Sequence, residues 1–286
     1  MDATILVPTH RHAAFLPFAL RSALDQEDAT IEVFVVGDGV EDATRVIVES
    51  FAHDPRVRFF DLPKGPRNGE AYRHDVLQEA NGRLITYLSD DDLLLRDHIA
   101  IMRTLLANAD LAHSAPALLK PDDGLVYYPW DIANQDFVWL MHTGHNSMGL
   151  TSATHTSEAY LRLPHGWRTT PSGIETDRYM WMQWLEQPWV RAVTSRRLTH
   201  LQFPDPMWRD ISDDERVDIV STWLERSRRP GFRTEIDSML EEAVVRAGER
   251  FRLKARRYQL ALQSVQATRT WRLRERVFAL RARKAS

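Results

Sequence analysis

Three consecutive acids, Asp90-Asp91-Asp92, follow the strand-like run 84–88 with only Ser89 between. Adjacent carboxylates repel one another and are stable only where something positive offsets them. Hard oxygen ligands of this kind suit Mg²⁺ or Mn²⁺, an ion that completes its shell from a substrate's phosphates. The plainer alternative is a solvated acidic turn that caps the next helix. Two other polar segments close β-rich runs in the same way. Pro8-Thr9-His10-Arg11 follows 4–7, and Gly37-Asp38-Gly39 follows 31–36.

The elements that must position these segments can be read from periodicity. The runs 4–7 and 31–36 have the short β-rich character of strands buried on both faces. Between them Leu16, Leu20 and Leu24 recur at helical spacing, and 42–51 carries Val46, Ile47 and Phe51 on one stripe. A third strand is expected at 57–60, a helix at 69–80 stopped by Gly82, a fourth strand at 84–88 and an amphipathic helix at 97–108. Such alternation predicts a parallel sheet with helices on both faces. Ligands of such sheets bind beyond the carboxyl ends of the strands, where the three polar segments lie. From 116 to 171 the pattern loosens: Pro116, Pro121, Gly124 and Pro129 punctuate it, and Trp130, Trp139 and Trp167 stand among histidines and polar residues. A helix is expected at 176–185, mostly extended chain at 190–203, and a helix at 212–228 opened by the capping box Ser212-Asp213-Asp214-Glu215. Residues 235–282 are helix-forming and rich in Arg.

The chain has 286 residues, 43% hydrophobic and 27% charged, which excludes a disordered or fibrous protein. It has no Cys, so disulfides and thiolate metal sites are excluded as well. No run approaches the ~18 apolar residues of a membrane span, and the start lacks the features of a secretory signal. A cytoplasmic protein is expected. Charge is uneven: residues 246–286 hold 13 basic residues against two Glu, whereas 1–245 hold 24 basic and 38 acidic. In the tail, Arg269, Trp271, Arg272, Arg274, Arg276, Phe278, Arg281, Arg283 and Lys284 interleave positive and apolar side chains. Such a segment can lie on the inner face of an anionic membrane, dock on a protein partner or fold back on the acidic body. The acidic body argues against nucleic acid as a partner.

Over most of residues 4–200 the sequence resembles the family 2 glycosyltransferases of the GT-A fold. Ile5-Leu6-Val7-Pro8-Thr9-His10-Arg11 is similar to that family's opening strand, which usually ends Pro-Thr-Tyr-Asn-Arg. Residues 31–39, followed by Asp42 and Thr44, are similar to its Glu-Ile-Ile-Val-Val-Asp-Asp-Gly-Ser-x-Asp-x-Thr segment. Arg73-His74 through Ala80 to Gly82 matches its Ala-Arg-Asn…Ala-x-Gly helix, and Tyr87-Leu88-Ser89-Asp90-Asp91-Asp92 its Phe-Leu-Asp-x-Asp-Asp metal motif. There are departures. Gly37 stands where the first Asp of a pair is usual, His10 and His12 flank Arg11, and Ser89 takes the first Asp position of the metal motif.

The resemblance implies a Rossmann-like mixed, mainly parallel sheet flanked by helices, with a helical C-terminal extension. Residues 1–205 would form the transferase domain, with a nucleotide-binding half at 1–115 and an acceptor-binding half at 116–205; residues 206–286 would form the Arg-rich extension. The implied activity is inverting transfer of a sugar from a nucleotide-diphosphate donor, UDP-sugar favoured, to a hydroxyl of a glycan or glycoconjugate, as in polysaccharide biosynthesis. Pro8, Thr9, His10, Arg11 and Asp38 would hold the nucleotide with Arg73, joined by Arg67 in the loop 63–69. Mn²⁺ or Mg²⁺ would bind two of Asp90, Asp91 and Asp92, with Asp92 as direct ligand, Asp90 assisting and His200 a late ligand. The base that takes the acceptor's proton would be Asp177, with Glu175 orienting the acceptor or serving as the base itself. Trp167, with His142 and His145 as loop polar residues, would line the acceptor groove; Trp181 and Trp184, at i and i+3, read as a core stripe. Two rivals remain: a non-catalytic nucleotide- or sugar-binding relative, kept open by Gly37 and Ser89, and a sugar nucleotidyltransferase, which would need a Gly-rich loop after the first strand where this chain has Pro8-Thr9-His10-Arg11.

Overall fold

The structure is a computed structural model that describes residues 1–146 and 148–268, together with residue 274. Its first half follows the alternation expected from sequence: β1 (Ala3–Thr9), α1 (Leu16–Leu24), β2 (Ile31–Asp38), α2 (Asp42–Ser50), β3 (Val57–Leu62), α3 (Glu70–Leu77), β4 (Leu84–Tyr87), β5 (Leu93–Leu94) and α4 (His98–Leu105). The second half adds β6 (Leu111–His113), β7 (Ala117–Leu119), β8 (Leu125–Tyr127), α5 (Gln135–His142), β9 (Ala153–Thr156), α6 (Ser157–Leu161), α7 (Thr176–Leu185), β10 (Ala192–Thr194) and β11 (His200–Leu201). It closes with α8 (Asp205–Trp208), α9 (Asp213–Ser227) and α10 (Phe232–Gln266).

Seven strands form one sheet in the order β10-β6-β9-β4-β1-β2-β3. All neighbours are parallel except β9, which runs antiparallel between β4 and β6. This is the mixed, mainly parallel sheet implied by the resemblance; strand periodicity alone predicted a parallel one. β9 reads Ala-Thr-His-Thr, too polar to look like a buried strand, yet three of its four residues are buried. The polar side chains are tolerated because they satisfy one another. The Thr154 hydroxyl meets that of Thr86, and His155 Nε2 lies 2.8 Å from the Tyr87 hydroxyl.

Apolar side chains pack both faces of the sheet. On one, Leu16, Leu20, Ile99 and Met102 from α1 and α4 cover Ile5, Val7, Val33 and Val35. On the other, Trp181 and Trp184 of α7 are fully buried with Leu6, Phe34, Tyr87 and Trp167, so the i, i+3 pair is a core stripe. A third core joins Phe15, Leu93 and Phe203 to Trp223 and Leu224 of α9 and Phe232, Ile236 and Leu240 of α10. Ser212 caps α9 by accepting from the Glu215 N–H at 3.3 Å, as the capping box predicts. Beyond Ala247, α10 has no further buried residue. The tail residues 269–286, apart from Arg274, lie outside the described residues. Among the described residues no helix is long and apolar enough to cross a membrane.

Candidate active site

The carboxyl ends of β1, β2 and β4 open into one cleft of about 740 Å³. Pro8, Thr9, His10, Arg11, Asp38, Arg67, Arg73, Asp90, Glu175 and Asp177 all line it. Residues separated by as many as 169 positions in the chain therefore meet, Pro8 and Asp177 among them. His12, Lys64, Asn68, Gly69 and Ser89 line the cleft too; His12 and Ser89 stood out in the sequence only as departures from the family pattern, and none of the five was expected as a site residue.

Asp38 ends β2 and is 6% exposed. Lys64 Nζ donates to its Oδ2 at 2.6 Å and the Gly65 N–H to its Oδ1 at 2.6 Å, while its backbone carbonyl accepts from His10 Nδ1 at 2.7 Å. Gly69 lets the chain pass this carboxylate. Its φ is +60°, and a Cβ there would stand 2.3 Å from Asp38 Cγ.

Arg73, on α3, is buried with its guanidinium carbon 4.5 Å from the Trp167 ring centroid. Its Nε and Nη1 have no hydrogen-bond partner among the described residues. Burial pushes its pKa down, while Asp177, Tyr87, Glu70 and Asp38 hold it up. A buried cation with unfilled donors in a cleft is suited to an anionic ligand such as a diphosphate. Trp167 is 2% exposed and donates from Nε1 to the Tyr87 hydroxyl at 2.8 Å. It forms the floor under Arg73 and does not present an open face for an acceptor.

Asp177 lies in the first turn of α7, and Glu175 stands at its N-cap position without a side-chain capping hydrogen bond. Burial raises the Asp177 pKa above its ordinary value; Arg73, 4.0 Å away, and the Leu150 N–H pull it back, and Glu70 adds to the rise. A partly shielded carboxylate with a raised pKa fits a proton acceptor. Glu175 is more exposed and sits 3.4 Å from Arg178. Arg67 donates to the Ile174 carbonyl at 3.1 Å and Asn68 Nδ2 to the Thr176 hydroxyl at 2.8 Å. The loop that wraps Asp38 is thereby tied to the segment that begins α7.

The three acids after β4 part company. Asp90 lines the cleft and lies 2.9 Å from His12 Nδ1. Asp91 pairs with Arg216 of α9 at 2.7 Å. Asp92 does not line the cleft: it is buried, accepting from the Thr151 hydroxyl at 2.5 Å and the Phe203 N–H at 3.1 Å. Burial and the neighbouring Asp91 push its pKa well up. Ligand atoms of His12, Asp90 and Asp91 all lie within 4.8 Å of one another, two hard oxygen donors and a nitrogen. This donor set fits a divalent cation of the Mn²⁺ or Mg²⁺ type. The expected Asp92 and His200 stand apart from it. His200 is fully buried on β11, outside the cleft lining, and burial lowers its pKa to about 4. His142, at the end of α5, also lies outside the lining, 3.8 Å from Glu186. The signal for His12 was present in its place three residues after β1, but nothing local pairs it with an acid 78 positions on.

The model of Glycosyl transferase family 2 matches residues 4–162. The succinoglycan biosynthesis protein ExoO of Rhizobium meliloti is 37% identical over 111 residues, 39% of this chain and 30% of that protein. The GalNAc(5)-diNAcBac-PP-undecaprenol beta-1,3-glucosyltransferase of Campylobacter jejuni is 30% identical over 114 residues, 38% of this chain and 36% of that one. The matched stretch thus spans about a third of these curated relatives. Among solved structures, S. aureus TarS 1-349 superposes with a TM-score of 0.54 at 15% identity, covering 85% of this chain and 71% of that one. The mannosyltransferase PcManGT from Pyrobaculum calidifontis, in complex with GDP-Man and Mn²⁺, gives 0.50 at 16% identity, covering 95% and 82%. At these identities the structural likeness is one of fold.

Proposed function

Because the chain belongs to glycosyltransferase family 2, we propose that it moves a sugar from a nucleotide-diphosphate donor to a hydroxyl of a glycan or glycoconjugate, with inversion. One observation carries the reading: Asp38, Arg73, Asp90 and Asp177 line a single cleft at the carboxyl ends of the sheet. The fold is shared with TarS, which is known in complex with UDP-GlcNAc, and with PcManGT, which is known with GDP-Man. A UDP-sugar is the favoured donor.

The residues divide the work by chemistry. Asp38, bridged to Lys64 and the Gly65 N–H, keeps lone pairs for the donor's base or ribose. Arg73 offers its free donors to the diphosphate. His12, Asp90 and Asp91 would hold Mn²⁺ or Mg²⁺, which when bound supplies positive charge where the diphosphate departs. Asp177 takes the proton from the attacking hydroxyl, and Glu175 at the mouth orients the acceptor. Residues 1–115 then serve the nucleotide and 116–205 the acceptor.

The test is a panel of nucleotides and nucleotide sugars, each with and without Mn²⁺, read as a shift in melting temperature. A shift with one nucleotide that grows with Mn²⁺ is expected; no shift with any refutes the proposal. Transfer by Asp177→Asn is expected to fall by about 10²–10⁴-fold with nucleotide binding kept. A second reading, a non-catalytic nucleotide binder, is favoured by the ion pairs that already engage Asp38 and Asp91. It predicts the same melting shift with no turnover by the wild-type chain.

A further inference from the structure

A second cavity, of about 520 Å³, shares a wall with the cleft. In the 149–152 segment Leu150 lines the cleft, whereas Gly149 and Ser152 line the second cavity. The two spaces differ in chemistry. The cleft is lined by Asp, Glu, Arg and Lys; the described lining of the second cavity holds none of these. Trp130 and Tyr128, both partly buried, give it aromatic faces, and Gln202 and Ser152 give it uncharged hydrogen-bonding groups.

His113, the last residue of β6, is the decisive member. It is fully buried among the lining residues, and neither ring nitrogen has a hydrogen-bond partner among the described residues. Burial, with His200 nearby, lowers its pKa to about 3, so the ring is neutral and offers one donor and one acceptor. A buried polar group without a partner is costly, and native folds rarely keep one without a use. Among the described lining residues no carboxylate, ammonium or guanidinium group is present to recognise a phosphate or a cation, and His145 adds a second imidazole. A neutral polyhydroxylated ring would find both things it needs: aromatic faces for its C–H side and paired donor–acceptor groups for its hydroxyls.

We propose that this cavity is a sugar subsite that binds a neutral pyranose unit of the acceptor, next to the cleft but apart from the hydroxyl that reacts. The proposal rests on the transferase reading for the word acceptor, and on His113, Trp130, Tyr128 and Gln202 for the sugar.

The test follows the His113 imidazole signals by NMR in the full chain. The probes are methyl glycosides of β-glucose, β-galactose, α-mannose and N-acetyl-β-glucosamine. At least one is expected to give a saturable shift at His113, weakened at least tenfold by Trp130→Ala. In His113→Leu, binding read at the Gln202 side-chain amide is expected to fall at least tenfold. His113→Leu is also expected to melt at or above the wild-type temperature, because it removes a buried polar group that no atom of the described residues satisfies; a histidine kept for structure would lower the melt. No saturable shift with any of the four glycosides overturns the subsite, as does binding that survives both substitutions. Melting with UDP or GDP and Mn²⁺ is measured in parallel. Sugar binding without any nucleotide shift leaves the subsite standing and removes the transferase reading; a nucleotide shift without sugar binding does the reverse.

Discussion

Arg73 Nη1 and Asp177 Oδ1 stand 4.0 Å apart across the floor of the cleft, too far for a hydrogen bond and close enough to set each other's charge. Burial raises the Asp177 pKa, and Arg73 is the largest influence that holds it back.

The rate of transfer should therefore carry an acidic limb governed by Asp177. Only the ionised carboxylate accepts a proton, so kcat is expected to fall as pH drops through a value above the ordinary 3.8. Arg73→Gln removes the restraining charge and is expected to move that limb to higher pH. A pH–rate profile of both proteins reads the shift; a limb that stays in place would exclude the coupling.

Gly69→Ala is expected to damage both stability and nucleotide binding. The left-handed backbone at φ +60° costs an L-residue about 1–2 kcal/mol, and the new methyl would collide with the Asp38 carboxylate. Urea unfolding should show at least that loss, and titration with UDP should show weaker binding.

Acid should unfold the chain early. His98, His113 and His155 have pKa values lowered to about 3 by burial, and His200 to about 4. Below the unfolded value near 6.5 the unfolded chain binds protons that the folded chain refuses, so stability falls as pH falls until the folded values are reached. Each such histidine removes about 1.4 kcal/mol per pH unit in that window, against a total of roughly 5–15 kcal/mol. Melting temperatures are expected to drop steeply between about pH 6 and about pH 4; a flat profile there would mean that the rings are protonated in the fold.

Arg216→Met should expose the dependence of the acidic turn on α9. The guanidinium pairs with Asp91 at 2.7 Å and donates to the Phe203 carbonyl at 2.6 Å. Breaking a buried pair of this kind costs roughly 3–5 kcal/mol. Mn²⁺ is expected to raise the melting temperature of the variant by more than it raises that of the wild type, since the ion supplies charge beside Asp91. Equal shifts would place the ion elsewhere.

Much of this arrangement was written in local pattern. Strands β1, β2 and β4 contain short apolar runs; Asp38 ends β2 and Asp90 lies three residues beyond β4. Strand β9 was hidden because its buried Thr154 and His155 are satisfied by Thr86 and Tyr87, partners more than 60 positions away. The split among the three acids was equally illegible. Spacing cannot say that Thr151 and the Phe203 N–H engage Asp92 while Arg216 takes Asp91. Trp167 looked available because its neighbours are polar, yet its indole lies beneath Arg73.

The bonds from Asn68 to Thr176 and from Arg67 to Ile174 bear on how such proteins can be recombined. Grafting either stretch alone into a relative would cut both ties and leave the loop around Asp38 and the start of α7 without a common reference. Moved as a pair, 63–69 and 173–177 would keep both bonds.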